Sequence, residues 1–471
     1  MQNDILPSPP ENSRAKYVTS KKLYLLCFII LSISGIVNFL SCCFPLLTRK
    51  PIFQCEFSPN VFSQCTANDV CNATSLSYYK DKALSTDNFA YEFDFYCSRY
   101  YYVGILGTAY YFGSFLGSLI LGNVIDIYGR QHPFKLLILT NLILMINLYF
   151  VYNPLHLVII FFITGVCSYT KSLCSIIITE YMQSSITAVV ISISNSMFPI
   201  LGFSVGIYYI FVNSWKSIVF ILVIITTTTT TLSYIYVDES PRWLMLYKNK
   251  ESNNELQQSL INKVEVRSFS YIEIINLKSQ QKNLLIVSFL TFTSSMSYYG
   301  LILNIDNYVG DFFSNYLMTY TAEAMAIILS GYIADYFGRI NTMKFFTLLA
   351  AITFALFEIV GGFLKIERFS YIFVFLISFG NAAFFNVLNI STMEYFPTVI
   401  RGSCVGLTNI VGKAATTIVP SMTTFVSHSP FLFSFFLILS VLMMNHLEET
   451  KGKEIQDLVP ELEKAQNKER I

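Results

Sequence analysis

Charged residues are scarce in this chain of 471 residues. Asp, Glu, Lys and Arg make up 13% of it, whereas hydrophobic residues make up 54%. Because an ordinary soluble protein carries about 25% charged residues, this composition excludes a soluble globular domain. The formal net charge is only +1, which excludes the basic field expected of a nucleic-acid-binding protein.

Residue groups that support catalysis or hold cofactors are also missing. No Ser/His/Asp grouping or Cys-x-x-Cys motif occurs, and the nearest approach to a phosphate loop, residues 406–413, has one residue too many between its glycines. We therefore expect neither an enzyme nor a cofactor or metal site. The histidines are scattered without metal-ligand spacing: His132, His156, His428 and His446.

Long apolar runs dominate the sequence instead. A bilayer core of ~30 Å is crossed by about 20 apolar residues in a helix. Such runs predict an all-α membrane protein with twelve transmembrane helices in two six-helix repeats. The first run is too long for a signal-peptide core. The predicted spans lie near 23–47, 100–122, 133–152, 155–180, 186–212, 216–237, 284–305, 312–333, 342–363, 369–392, 402–426 and 429–446.

The polar segments between the spans predict the domain organisation and the orientation. We expect a tail at 1–22, bundles at 23–237 and 284–446, a linker at 238–283 and a tail at 447–471. With both termini in the cytosol, 21 of the 31 Lys and Arg residues lie in cytosolic segments and 8 in outer segments. Because cytosolic loops carry an excess of Lys and Arg, this bias favours that topology.

The first outer loop, residues 48–99, holds four cysteines and a glycosylation sequon. Asn72-Ala73-Thr74 is the sequon. Cysteines outside a cell or in a secretory lumen usually form disulfides, and four cysteines allow three pairings. The pairing is open at this point, as is the alternative that these are chance thiols. The four cysteines are Cys55, Cys65, Cys71 and Cys97.

An internal repeat is the strongest signal in the sequence. Residues 122–130 and 331–339 both read G-x-x-x-D-x-x-G-R, and they are offset by 209 positions. Two acidic landmarks recur at offsets of 210 and 214 residues: Glu239 with Glu449, and Glu180 with Glu394. These matches indicate a duplicated six-helix unit.

The repeated motif resembles that of the major facilitator superfamily. Residues 92–97 (EFDFYC), 298–301 (YYGL) and 394–402 (EYFPTVIRG) are similar to its organic cation/anion/carnitine transporter family. The resemblance covers nearly the whole chain and implies rocking of two halves around a midplane site. Sugar porters share residues 240–243 and 449–452, but the seventh span here lacks their Gln-Leu-Ser run.

The sequence departs from the family at two places. Seven residues after Glu394 stands Arg401, but seven residues after Glu180 stands Thr187, where the family usually has arginine. We expect this change to loosen the inner gate of the N-terminal half. The first loop is shorter than usual, which is expected to remove an oligomerisation surface, so the oligomeric state stays open.

The resemblance also implies two clusters of gate charges at the cytosolic helix ends. Ion pairs there would hold the halves together while the outer side is open, and the aspartates would cap a helix N-terminus of the opposing half. The alternative is that these charges only orient the protein. The N-terminal cluster comprises Asp126, Arg130, Glu180, Glu239 and Arg242. Its counterpart comprises Asp335, Arg339, Glu394, Arg401 and Glu449.

Four ionisable residues lie well inside the spans, where a charge costs at least ~2.5–3.5 kcal/mol on insertion scales. They are Lys171, Glu323, Glu358 and Lys413. Lys413 stands where anion and carnitine transporters of the family carry arginine and its cation transporters carry aspartate. Lys171 stands where the cation transporters place a pocket tryptophan, and Glu323 matches a position that is acidic in both. Glu358 is expected to be peripheral.

These residues favour a cavity for a small organic ion, leaning towards an organic anion or a carnitine-like zwitterion. Tyr298 and Tyr299 are candidate aromatic walls. An alternative is that Lys413 and Glu323 form a pair that only holds helices together. Other open alternatives are an organic cation transporter, a sugar-porter-like carrier and a non-transporting nutrient sensor. We expect a multi-pass protein of the plasma membrane, whose partners are its substrate and the lipid bilayer.

Overall fold

A computed structural model describes residues 20–58, 61–65, 67–72, 77–82, 84–182, 184–248, 271–302, 311–363, 370–425 and 428–453. Its long helices are labelled α1–α12 in chain order. The first six are α1 (Ser20–Ile36), α2 (Tyr101–Tyr128), α3 (Gln131–Tyr149), α4 (Pro154–Cys167, continued by Thr170–Tyr181), α5 (Ser184–Val212) and α6 (Trp215–Tyr236). The others are α7 (Lys278–Ile302), α8 (Phe312–Phe337), α9 (Arg339–Phe357), α10 (Ser370–Tyr395), α11 (Arg401–Phe425) and α12 (Ser429–Met444).

Nine helices of the described part, α2 to α10, are long and apolar enough to cross a membrane. The apolar stretches of α1 and α12, Leu25–Ile36 and Ser429–Met444, are shorter. Helix α11 has the length but carries polar residues such as Asn409 and Lys413 along it. A helix with such residues is stable in a bilayer only when its polar face lies against protein or water.

Three of the predicted spans are interrupted. Helix α1 ends at Ile36 and continues as two short helices, Phe39–Cys42 and Phe44–Thr48. Pro45 lies in the first turn of the second short helix, where its missing N–H and fixed φ are tolerated. Helix α4 breaks at Ser168 and Tyr169, and α9 ends in a π-helical turn, Glu358–Phe363.

The first loop is folded, and it contains the only strands among the described residues. Strands β1 (Phe53–Ser58), β2 (Val61–Cys65) and β3 (Tyr78–Lys80) form an antiparallel sheet in the order β2-β1-β3. Disulfides join Cys55 to Cys65 and Cys71 to Cys97. Short helices complete the loop at Ala67–Asn72 and Phe89–Glu92, with a 3-10 turn at Cys97–Arg99.

The loop is anchored to the N-terminal half. Asn88 donates from its amide to the carbonyls of Leu46 and Arg49 at 2.8 and 3.0 Å. Glu92 accepts from the indole of Trp215 at 2.8 Å and from Lys216 at 2.6 Å, at the start of α6. The loop must therefore move with this half. The predicted sequon lies partly outside the described residues: Asn72 ends a short helix, and Ala73 and Thr74 are not described.

The duplicated motif forms the same turn twice. Gly129 and Gly338 have φ values of +90° and +92°, a left-handed conformation that favours glycine. Behind each turn, a carboxylate accepts from the first backbone N–H groups of the next helix. Glu239 accepts from Arg130 and Gln131 at 2.7 and 3.1 Å, and Glu449 accepts from Arg339 and Ile340 at 2.8 and 3.1 Å.

The two ends of the bundle are named from these features. The linker side carries the two turns and the short helix Pro241–Lys248 that follows α6, and the loop side carries residues 49–100. One buried apolar cluster lies wholly in the C-terminal half. A small cluster lies within the first loop. Two more belong to the N-terminal half but include residues of the opposite half: Phe312, Tyr316 and Tyr320 at the loop side, and Ile390, Met393 and Val405 at the linker side.

Candidate functional site

A cavity of about 130 Å³ lies between the two halves. Since one water needs roughly 10–15 Å³ of such space, the cavity has room for a small organic molecule. Its walls come from the break after α1 and from α2, α4 and α5 of one half, and from α7, α8, α10 and α11 of the other. The sequence-predicted substrate residues all line it: Lys171, Tyr298, Tyr299, Glu323 and Lys413.

Each lysine of the cavity lies over an aromatic ring of the opposite half. The Lys171 ammonium, on α4, is 4.7 Å from the ring centre of Phe198 and 5.9 Å from that of Phe385 on α10. The Lys413 ammonium, on α11, is 5.8 Å from the ring centre of Tyr111 on α2. Cation–π contacts of this kind are worth about 0.5–2 kcal/mol, so they offset only part of the cost of placing two cations inside the membrane spans.

Glu323 is the acidic group of the cavity, and it is only 2% exposed. Its Oε2 accepts a hydrogen bond from the Tyr298 hydroxyl at 3.2 Å, while its Oε1 has no partner among the described residues. Neither cavity lysine forms an ion pair with it in the described part of the chain. The Lys413–Glu323 pair considered from the sequence is therefore not formed here, and the three charges remain open to a ligand.

Asparagines form a second polar layer that sequence reasoning missed. The amide of Asn195, on α5, donates to Asn386 of α10 at 2.9 Å, and Asn386 donates to Ser192 and Ser330 at 2.9 and 3.0 Å. Asn409 of α11 donates to Ser172 of α4 at 3.0 Å. The sequence does contain a signal that could have identified them: an isolated asparagine within an apolar span, whose amide needs a hydrogen-bond partner in a membrane.

Asp126, Arg130 and Glu180 of the N-terminal cluster are buried, and they reach across to the other half. The Arg130 guanidinium donates twice to Glu180, at 3.0 and 3.1 Å. The same carboxylate accepts from Arg401 at 3.3 Å, and Arg130 also donates to the carbonyl of Thr398 at 3.3 Å. Arg401, which the sequence placed in the C-terminal cluster, therefore joins the N-terminal cluster in space.

Asp126 caps the N-terminus of α11 in the opposite half. It accepts from the backbone N–H groups of Gly402 and Ser403 at 3.3 and 2.9 Å, and from the Ser403 hydroxyl at 3.0 Å. The approach is possible because α2 and α11 meet backbone to backbone: a Cβ on Gly122 would lie 2.9 Å from the Gly402 carbonyl oxygen. A carboxylate at a helix N-terminus is stabilised by the helix dipole.

The C-terminal cluster repeats the internal contacts but is more open. Arg339 donates to Glu394 at 3.0 and 3.3 Å and to Asp335 at 2.7 Å. The Asp335 side chain is 29% exposed, against 7% for Asp126, and that of Glu394 is 13% exposed, against 0% for Glu180. The difference arises because the start of α11 covers the N-terminal cluster.

Glu239 and Glu449, which the sequence placed among the gate charges, cap helices of their own halves in this structure. Although burial raises the pKa of Glu449, hydrogen bonds from the backbone N–H groups of Arg339, Lys451 and Ile340 hold it below its ordinary value. The carboxylate therefore stays charged at neutral pH. Arg242, which the sequence also placed among the gate charges of the N-terminal half, lies in the short helix Pro241–Lys248 that follows α6.

Comparison with known proteins agrees with this architecture. The sequence model of the Major Facilitator Superfamily matches residues 86–444, well over half of the chain. The chain belongs to the Major Facilitator Superfamily.

Two solved structures are similar to it in fold. The proton:xylose symporter XylE has a TM-score of 0.67 at 15% identity and covers 95% of this chain and 100% of its own. The human organic anion transporter MFSD10 has a TM-score of 0.65 at 11% sequence identity, and the match covers 90% of this chain and 100% of that one.

Curated relatives carry the resemblance further. This superfamily member is 24% identical over 461 residues to organic cation/carnitine transporter 4 of Arabidopsis thaliana, covering 90% of this chain and 85% of the relative. It is 21% identical over 411 residues to organic cation/carnitine transporter 2 of Mus musculus, covering 82% and 73%. The fold class and the family resemblance drawn from the motifs are thus confirmed, and the chain is a superfamily transporter.

The loop side of this superfamily transporter is closed by hydrogen bonds between uncharged groups, by close helix packing and by one cation–π contact. The hydroxyls of Tyr316 and Tyr320, on α8, both donate to the carbonyl of Cys42 at the break in α1. Helix α5 packs closely against the same tyrosines, since a Cβ on Gly202 would lie 2.9 Å from the Tyr320 ring. The Arg49 guanidinium lies 4.6 Å from the ring centre of Phe312. Contacts between the halves therefore lie on both sides of the cavity.

Glu358 lies apart from the cavity. It begins the π-helical turn at the loop-side end of α9 and is buried against the N-terminus of α12. Its carboxylate is 2.7 Å from His428 Nδ1. The expectation that this residue is peripheral to the substrate site agrees with its position.

The contact between Asp126 and α11 leads to a prediction. Asp126→Asn replaces one acceptor oxygen by a donor and removes the charge at the helix N-terminus. Charge-assisted hydrogen bonds contribute about 1.5–3 kcal/mol each, so we expect uptake into liposomes to fall by about tenfold or more while the yield of folded protein persists. Asp335→Asn is the matched control, and we expect a smaller loss of uptake because the Asp335 side chain is more exposed than that of Asp126. Unchanged uptake in Asp126→Asn would contradict a latch at this position.

Proposed function

We propose that this transporter carries a small organic anion or zwitterion by alternating access. The observation that carries the proposal is the pair of cavity lysines, Lys171 and Lys413, which lie over aromatic rings but have no carboxylate partner among the described residues. Two partly buried cations inside the spans, without a counter-charge among the described residues, are costly. A substrate carboxylate, sulfate or phosphate group between the halves would supply the missing counter-charge.

Glu323 supports a zwitterion in particular. Its unpartnered Oε1 and the rings of Tyr298 and Tyr299, which meet edge to face at 5.1 Å, line the same cavity. An ammonium group is favoured both by a carboxylate and by aromatic faces. A molecule such as carnitine carries a quaternary ammonium and a carboxylate, so it matches both the acidic and the basic groups of the cavity.

Alternating access is supported by the two sets of contacts between the halves. On the linker side, the halves are joined by the buried Arg401–Glu180 ion pair and by the capped start of α11. On the loop side, they are joined by tyrosine hydroxyls that donate to a carbonyl at the break after α1. Opening one side requires breaking only its own set. We propose that the loop side faces the outside of the cell and that both termini are cytosolic, in the plasma membrane.

Three other functions fit parts of these observations. An organic cation transporter fits the names of the relatives and the acidic, aromatic side of the cavity around Glu323. A sugar-porter-like carrier fits the shared fold with XylE. A nutrient sensor would use the same cavity for binding without transport, since a fold does not determine a function. The two lysines favour the anion or zwitterion over all three.

Uptake by purified protein in liposomes tests the proposal. We expect radiolabelled carboxylates or carnitine-like zwitterions to accumulate above the level in protein-free liposomes. Quaternary amines without a carboxylate, and hexoses, should stay near that level. Accumulation of quaternary amines alone would establish the cation alternative. Saturable binding of any of these compounds without accumulation would favour the sensor.

A further inference from the structure

Two adjacent cysteines lie at the loop-side closure. Cys42 and Cys43 are fully buried, and their sulfur atoms are 3.4 Å apart. Both are free thiols, since the disulfides use four other cysteines. Consecutive side chains of a regular helix do not face each other. Here the short helix Phe39–Cys42 ends between them, and this break brings the two thiols into contact.

The same break forms part of the contact between the halves. A helix end leaves carbonyl groups without an intrahelical partner, and the Cys42 carbonyl accepts from the hydroxyls of Tyr316 and Tyr320 on α8. The rings of both tyrosines belong to one apolar cluster with Cys42 and Cys43. While α8 stays in place, the thiols are shielded from water.

Shielding determines the reactivity of the pair. The thiolate is the reactive form of cysteine, and apolar burial disfavours it. When α8 moves away from α1 on the loop side, the thiols meet water and become reactive together. Soft sulfur ligands select soft acceptors, and two adjacent thiols bind one acceptor atom far more tightly than a single thiol does.

We propose that Cys42 and Cys43 form a dithiol site at the loop-side gate that binds trivalent organic arsenicals. With phenylarsine oxide, each thiol gives up its proton, two arsenic–sulfur bonds form, and the arsenic–oxygen bond breaks. The oxygen leaves as water with the two protons, and arsenic remains trivalent, so no oxidant is required. The ring that forms replaces the shielded thiol pair under Tyr316 and Tyr320 and hinders reclosure of this side.

The adduct is measured by intact mass on the full-length protein in lipid nanodiscs. We expect one phenylarsenic unit per chain, removed by a competing small dithiol. Cys42→Ser and Cys43→Ser each leave a single thiol, and we expect at least about a hundredfold weaker binding from the lost chelation. Cys27→Ser, on α1 but outside the pair, is the matched control. Full binding in either pair variant, or no adduct on the wild-type protein, would overturn the site.

The link to the gate is tested by the rate of the reaction. Tyr320→Phe removes one hydroxyl donor to Cys42, and we expect the adduct to form about two- to tenfold faster. Tyr332→Phe, an exposed position of the same helix, is expected to leave the rate unchanged. An unchanged rate in Tyr320→Phe would overturn the gating role. Both measurements rest on the opening of the loop side that the proposed alternating access requires. Neither depends on which substrate is transported, so a failed uptake assay leaves the expected adduct unchanged.

Discussion

Glu180→Gln is expected to lower uptake into liposomes by about a hundredfold or more. The Glu180 carboxylate accepts from Arg130 of its own half and from Arg401 of the other half, and its side chain is fully buried. Removing one partner of a buried ion pair leaves an uncompensated charge and costs about 3–5 kcal/mol. In this variant Arg401 loses the carboxylate that it contacts in the other half, and among the described residues Arg130 keeps only the ion pair with Asp126 at 3.4 Å. The closed linker side is therefore destabilised and the cycle stalls.

The duplicated bundle supplies the control for this experiment. Glu394→Gln makes the same chemical change in the other half. There Arg339 keeps Asp335 at 2.7 Å, against 3.4 Å between Arg130 and Asp126, and the side chain of Glu394 is 13% exposed. We expect a markedly smaller loss of uptake. Thermal melting of both purified variants separates unfolding from a stalled cycle. Equal losses from Glu180→Gln and Glu394→Gln would show that the contact with Arg401 has no special role.

Lys413→Asp is expected to abolish uptake of organic anions and to introduce uptake of organic cations. The change removes a positive charge from the cavity wall and places a second acidic group in the cavity that Glu323 also lines. Like charges brought together in a binding site cost several kcal/mol, which corresponds to at least about a hundredfold weaker binding of a carboxylate. The same two carboxylates would favour a quaternary amine.

The measurement compares the uptake of one anion and one quaternary amine by the same batch of liposomes. Lys453→Asp is the control, because Lys453 is exposed and pairs only with the exposed Glu448 in the described part of the chain. Exposed pairs of this kind contribute little, so both uptake rates should match the wild-type protein. If Lys413→Asp keeps its anion uptake and gains no cation uptake, Lys413 is not the charge that selects the substrate.

The two halves are related in sequence but unequal at the linker side. Arg401 is the first residue of α11 and reaches Glu180 of the other half. The equivalent position, in the first turn of α5, is Thr187, which cannot supply a guanidinium. The departure noted in the sequence therefore has a structural counterpart: the strong cross-half contact is made once. The sequence led us to expect a looser gate in the N-terminal half, but the more exposed of the two equivalent glutamates is Glu394 of the C-terminal half.

The sequence by itself was enough to predict the twelve helices, the duplicated unit and the positions of the charged landmarks. These features are local: an apolar run of about 20 residues has few stable structures other than a membrane helix, and a motif such as residues 122–130 keeps its spacing wherever it occurs. Five of the residues that line the cavity were also identified, because a charge such as Lys171 within an apolar run requires a cavity or a partner.

Only the tertiary structure decided which side chains meet. The pairing of Arg401 with Glu180, the absence of a Lys413–Glu323 pair in the described chain and the amide contact of Asn195 with Asn386 join residues that are far apart in sequence. Such contacts depend on how each helix is rotated about its axis and on which helix lies beside it. Apolar runs in a bilayer do not specify these quantities, because lipid tails are as apolar as the side chains they contact.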